Sequence, residues 1–181
     1  MKLNFILALL ALTACSADNQ IASSPPSQET PHKIFLVRHA EKQAGENPSL
    51  TTAGESRAAT LAEIMSEKGL THIHSTNYKR TLETAAPIAK LSGIEIQVYD
   101  PSKLDAFADD LRSTVGVHLV VGHSNTTPDL ALALGGDPGD SIDEKNEYDR
   151  LYVIDLGPDG PSSSIERFGD RYQKETTADQ D

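Results

Sequence analysis

Two runs of the sequence, "FLVRH" at residues 35–39 and "LVVGH" at residues 119–123, carry an apolar stretch straight into a histidine. The first also sets Arg38 directly before His39, and a third run, "STNYKRTLETAAPIA", carries Arg80. An imidazole or guanidinium is costly to bury without a partner, so something must meet these side chains where the apolar stretches end. In a parallel sheet, ligands gather beyond the carboxyl ends of the strands. Three chain-distant segments can therefore bring Arg38, His39, Arg80 and His123 to one rim. Such a group is a cationic cup suited to an anion with several oxygens, because a guanidinium binds phosphate through paired, charge-assisted hydrogen bonds. No Walker-type loop or dinucleotide fingerprint accompanies it, which argues against a nucleotide cradle. No Cys, His and carboxylate cluster has metal-ligand spacing. His72 and His74 in "THIHST" alternate on one strand face and read as a structural or exposed pair.

The elements that must position the cup can be read in order. "KIFLVRH" and "VHLVVGH" are continuous apolar runs, as expected of strands covered on both faces. "TTAGESRAATLAEIMSEKG" reads as a helix capped by Thr51 or Thr52 and closed by Gly69. "THIHST" is a short strand. "YKRTLETAAPIAKLSG" is helical, with Pro87 expected to kink or break it. "IEIQVYD" alternates as a strand does, and "PSKLDAFADDLRSTV" reads as a helix opening at Pro101 with a Ser102 cap. "NTTPDLALALGG" is a further helix. "DRLYVIDL" and "SSIERFG" flank the turn sequence "GPDG" and read as a hairpin. Strand–helix alternation predicts an α/β domain with a mostly parallel sheet.

Bulk properties narrow the function classes. The chain has 181 residues and a formal net charge of -11, with 27 acidic and 16 basic side chains. That balance disfavours a nucleic-acid binder, which needs a basic face, yet permits one small basic pocket. A single Cys allows no intramolecular disulfide. Lys2 and the apolar residues 3–12 read as a secretory signal too short to span a bilayer, and "LTAC" resembles the bacterial lipobox. That resemblance implies a signal peptide over residues 1–14 and acylation of Cys15, with Ser16 consistent with outer-membrane sorting. It places the protein in the bacterial cell envelope, lipid-anchored and facing the periplasm. Residues 15–31 are polar and proline-bearing and read as a flexible tether, residues 32–173 as one folded domain, and residues 174–181 as a disordered tail.

Taken together, "LVRHAEK", "NPSLTTAGESRA", "STNYKRTLETAAPIA" and "VVGHSNT" resemble the successive signatures of the histidine phosphatase superfamily, in its phosphoglycerate-mutase-like branch. The resemblance runs from about residue 33 to about residue 168 and implies a three-layer α/β/α sandwich. It implies that His39 is the nucleophile, that Arg38 and Arg80 are phosphate-pocket arginines, and that His123 is the second pocket histidine, with Ser124 and Asn125 beside it. Asp105, with Glu41 as the alternative, matches the expected proton donor. The implied reaction is metal-independent phosphomonoester hydrolysis through a phosphohistidine, without a cofactor. The implied substrate is a small phosphorylated molecule or a phosphoprotein, and the membrane is met only through the anchor. A non-catalytic phospho-ligand-binding lipoprotein and a phosphoglycerate-type mutase are the alternatives. Departures from the pattern fall at Ala40, Lys42, Gly45 and Ser124, with Asn47 a substitute for the pocket Asn.

Overall fold

The computed structural model describes residues 31–173. The signal segment, Cys15 and nearly all of the tether expected from the sequence lie outside those residues, as does the tail. The described chain runs β1 (Lys33–Arg38), α1 (Thr52–Ser66), β2 (His72–Ser75), α2 (Lys79–Ser92), β3 (Ile96–Val98), α3 (Leu104–Ser113), β4 (Val117–Gly122), α4 (Thr126–Ala133), β5 (Arg150–Gly157) and β6 (Gly160–Arg167). One six-stranded sheet has the order β3-β2-β4-β1-β5-β6. The first four strands are mutually parallel, and the β5–β6 hairpin adds to β1 antiparallel.

The apolar run of β1 explains its central place. Phe35 and Val37 face a core built with Leu61 and Met65 of α1 and Ile88 of α2. Ile34 and Leu36 face a second core with Phe107 and Leu111 of α3 and Leu130 of α4. Alternate residues of one strand thus serve two helix layers, and the molecule is the α/β/α sandwich expected. Arg38 at the end of β1 is in register with Gly122 at the end of β4. The His39 N–H then donates to the Gly122 carbonyl at 2.9 Å. His39 and His123 consequently leave neighbouring strands at one level. Gly122 is required there: a Cβ would lie 2.9 Å from the Tyr99 hydroxyl and 3.0 Å from Thr127 Oγ1.

Local signals were met with two corrections. Thr51 caps α1, its hydroxyl accepting from the Gly54 N–H. Ser102 caps nothing. The Asp100 carboxylate takes both the Ser102 N–H and its hydroxyl, at 3.0 and 2.7 Å, in a turn with Pro101 at its second position, and α3 starts only at Leu104. Nor does Pro87 break its helix: α2 runs through to Ser92 and closes on Gly93. Burial of Ala85 and Ile88 against the sheet outweighs the one hydrogen bond that proline removes.

His72 and His74 are part of a stack rather than a loose pair. The rings of His72 and His118 lie 4.5 Å apart and 9° from parallel, and those of His74 and His118 lie 5.3 Å apart at 13°. His118 Nε2–H donates to the Thr114 carbonyl at 2.8 Å, so its Nδ1 accepts from His74 Nε2–H at 3.1 Å. Parallel rings aim their lone pairs in parallel planes, which does not suit convergence on one ion. Burial, reinforced by neighbouring histidines, pulls His74 and His118 down to about 4. Both are therefore neutral in the fold, while the unfolded chain takes up protons below about pH 6.5. Their contribution is fully present above that pH and is lost as pH falls toward 4, by about 2 kcal/mol each at pH 5. Urea titrations at pH 7.5 and 5.0 should show a clear drop in midpoint at the lower pH, reduced in His74→Gln. Equal midpoints would contradict neutral burial.

Candidate active site

The cup forms where β1, β4 and the start of α2 meet. His39 is buried, and its Nδ1 lies 2.8 Å from the Ala40 carbonyl. A carbonyl can only accept, so Nδ1 carries the proton and Nε2 is left with a bare lone pair. Burial pushes His39 down to about 3; the Ala40 bond opposes this and the charges of Arg38 and Arg80 add to it. The ring is neutral at any ordinary pH.

His123 sits with its ring centre 5.6 Å from that of His39. Arg80 Nη2 donates to its Nδ1 at 3.3 Å, which places the His123 proton on Nε2, 2.9 Å from Thr76 Oγ1. Thr76 continues to Thr81 at 3.0 Å, and Thr81 donates onward to main-chain carbonyls. Burial first, then Arg80 and Arg38, lower His123 to about 4. Arg80 also lies over Tyr78, 4.6 Å from the ring centre.

Arg38 is held differently from Arg80. Its Nη1 donates to the carbonyls of Glu147 and Asp143, at 2.8 and 3.2 Å, and its Nη2 to the carbonyl of Glu144. The guanidinium stacks 4.1 Å from the centre of the Tyr148 ring. The loop between α4 and β5 therefore takes both terminal nitrogens. Among the described residues, the buried side-chain polar atoms left without a partner are Arg38 Nε and Arg80 Nε. Buried donors of this kind are nearly always satisfied, so both arginines of the cup lack one acceptor each.

A cavity of about 410 Å³ opens on the site, lined by His39, Arg80 and His123 together with Ser124 and Asn125. The last two lie at the start of α4, where the helix dipole favours an anion. Lys42, Tyr78 and Glu144 complete the mouth. The structure thus gathers His39, Arg80, His123, Ser124 and Asn125 as the sequence leads one to expect, with Arg38 set behind them.

The two carboxylates expected as proton donors are elsewhere. Glu41 accepts from Arg57 Nε and Nη2 at 2.8–3.0 Å, a fork that ties the segment after His39 to α1. Asp105 lies exposed on α3, outside the cavity lining, because the Asp100–Lys103 turn delays the helix. Asn47 does not enter the cavity lining either: its Oδ1 accepts the Lys79 N–H at the start of α2. Glu144, Lys42 and Tyr148 had no periodic or motif signal to mark them, although Lys42 stands out as a departure from the resembled pattern.

Known proteins share part of this sequence and the fold. The model of the histidine phosphatase superfamily (branch 1) matches residues 34–101. A Serratia proteamaculans protein named probable phosphoglycerate mutase GpmB is 35% identical over 77 residues, 38% of this chain and 35% of that protein. Its Escherichia fergusonii counterpart is 39% identical over 77 residues. The chain thus spans about a third of the length of the curated relatives it matches. The solved protein histidine phosphatase SixA complexed with tungstate has a TM-score of 0.58 at 16% identity, covering 75% of this chain and 95% of that one. SixA from Agrobacterium tumefaciens has a TM-score of 0.56 at 19% identity, covering 78% and 99%. Residues 34–101 thus carry the signature of the histidine phosphatase superfamily (branch 1), and the described residues share the fold of the solved SixA structures.

Proposed function

We propose that the protein hydrolyses phosphomonoesters through a phosphohistidine on Nε2 of His39, without a metal. The observation that carries this reading is the pair of unpartnered guanidinium nitrogens beside a neutral histidine whose outer nitrogen is bare. Phosphoryl transfer asks mainly for positioning and charge stabilisation. Arg38 Nε and Arg80 Nε each supply one donor to the equatorial oxygens. Nε2 of His39 attacks phosphorus while Nδ1–H stays on the Ala40 carbonyl, which stabilises the charge arising on the ring. Arg80 Nη2 stays on Nδ1 of His123, which holds the guanidinium in place while its Nε meets the phosphate. Water then attacks the phosphohistidine and releases phosphate.

The substrate class is a small phosphorylated molecule or a phosphorylated side chain, in keeping with the phosphatases of the same fold. The names of the curated relatives favour a second reading, a mutase, in which the phosphoryl group returns to a substrate hydroxyl rather than to water. Incubation with a 32P-labelled aryl phosphate in EDTA separates these. The expected result is release of free phosphate at a steady rate, with a transient acid-labile label on the protein. Label that persists until an acceptor alcohol is added supports the mutase. Binding of vanadate without label or turnover leaves a phospho-ligand binder.

A further inference from the structure

We propose that Glu144, on the loop between α4 and β5, donates the proton to the leaving group. This rests on the phosphatase reading. Breaking an alkyl ester requires a proton on the departing oxygen, and His39 cannot give it, because Nε2 is bonding to phosphorus and Nδ1–H is held by Ala40. The neighbouring carboxylates are engaged. Glu41 is in the Arg57 fork, and Glu83 accepts the Leu50 N–H at 2.7 Å. Glu147 and Asp149 are buried against Arg167, and Asp143 accepts the Lys145 N–H at 2.9 Å. Glu144 is the carboxylate among the residues lining the cavity, and its side chain makes no hydrogen bond or ion pair among the described residues.

Its place is fixed from behind. The Glu144 carbonyl accepts from Arg38 Nη2, and the flanking carbonyls of Asp143 and Glu147 accept from Nη1. The loop is therefore tied to the residue preceding the nucleophile. Glu144 is exposed at the cavity mouth, the side from which an alcohol leaves. The step balances: the bond between His39 Nε2 and phosphorus forms, the P–O ester bond breaks, its electron pair stays on the ester oxygen, and the carboxyl of Glu144 gives that oxygen a proton. In the second half, the Glu144 carboxylate takes a proton from water as the water oxygen bonds to phosphorus and the N–P bond breaks. The sum is ester plus water to alcohol plus phosphate, with Glu144 protonated again.

The test compares kcat/KM, which reads the first half alone, across phosphate esters of rising leaving-group basicity, from nitrophenyl to simple alkyl. Glu144→Gln should fall by less than about 3-fold with nitrophenyl phosphate and by about 10²–10³-fold with an alkyl phosphate. Vanadate affinity should be unchanged, since the main-chain carbonyl on Arg38 is kept. Glu144→Asp should recover part of the alkyl activity. An equal loss across the series, or no loss with alkyl esters, overturns the assignment while the parent's activity upholds the phosphatase. A parent silent toward every ester sinks both.

Discussion

His39→Ala removes turnover of an aryl phosphate by about four orders of magnitude in kcat/KM and abolishes the acid-labile phosphoenzyme. The size follows from role: a nucleophile has no substitute in the cup, because His123 offers Nδ1 to Arg80 and holds Nε2 on Thr76. Vanadate or phosphate should still bind, since Arg38, Arg80 and His123 remain, and loss of binding together with turnover would point to collapse of the site. The pH profile of the parent gives an independent check. A histidine with an ordinary value of about 6.5 would make kcat/KM fall tenfold per unit below that pH. His39 is held at about 3 and His123 at about 4, chiefly by burial. Corrected for the ester's own second ionisation, kcat/KM should therefore stay level from pH 8 to 5. A decline setting in at pH 6.5 would contradict a neutral nucleophile.

The cup was legible because its geometry is written in strand ends. A continuous apolar run closing on Arg38-His39 and another closing on Gly122-His123 can meet only if their strands are parallel neighbours, and the Arg38–Gly122 register makes them so. Arg80 was legible because it opens the helix after the next strand, beside the same rim. What holds Arg38 was not. Its partners are three main-chain carbonyls, and a carbonyl carries no residue signature. Glu41 misled for a related reason: two positions after His39 it reads as a proton-donor candidate, but Arg57 lies sixteen residues on and the pairing appears only when α1 folds back. Asp105 misled through a boundary: the helix was expected to open at Pro101, and the Asx turn at Asp100 moves its start to Leu104. The loop that supplies Glu144 carries no period or motif, so nothing in the sequence marks its side chains.

The buried end of that loop should be as sensitive as the nucleophile, in stability rather than chemistry. Glu147 is 2% exposed, and its carboxylate accepts from Arg150, from Arg167 at 2.6 Å and from the Asp143 N–H at 2.9 Å. Burial works against its charge, yet Arg150, the Asp143 N–H and Arg167 prevail and hold it below the usual carboxylate range. Arg150 is itself only 4% exposed. Glu147→Ala leaves that guanidinium buried with Asp140, three-quarters exposed, as its remaining carboxylate. Breaking a buried pair from one side costs about 3–5 kcal/mol, roughly 10 °C or more in Tm for a domain of this size. Removing both charges, as Glu147→Met with Arg150→Met, should recover much of the loss, because the pair's desolvation nearly cancels its attraction. The same change reaches the cup. Glu147 and Asp143 lend their carbonyls to Arg38, and the Glu147 carboxylate fixes the Asp143 N–H, so the loop that orients the guanidinium loosens with it. The double variant should regain stability but keep a raised KM for phosphate esters, since Met restores packing and not the bond to Asp143. Recovery of both together would mean that the loop is set by packing alone, and a loss under 1 kcal/mol in Glu147→Ala would mean that water already reaches Arg150.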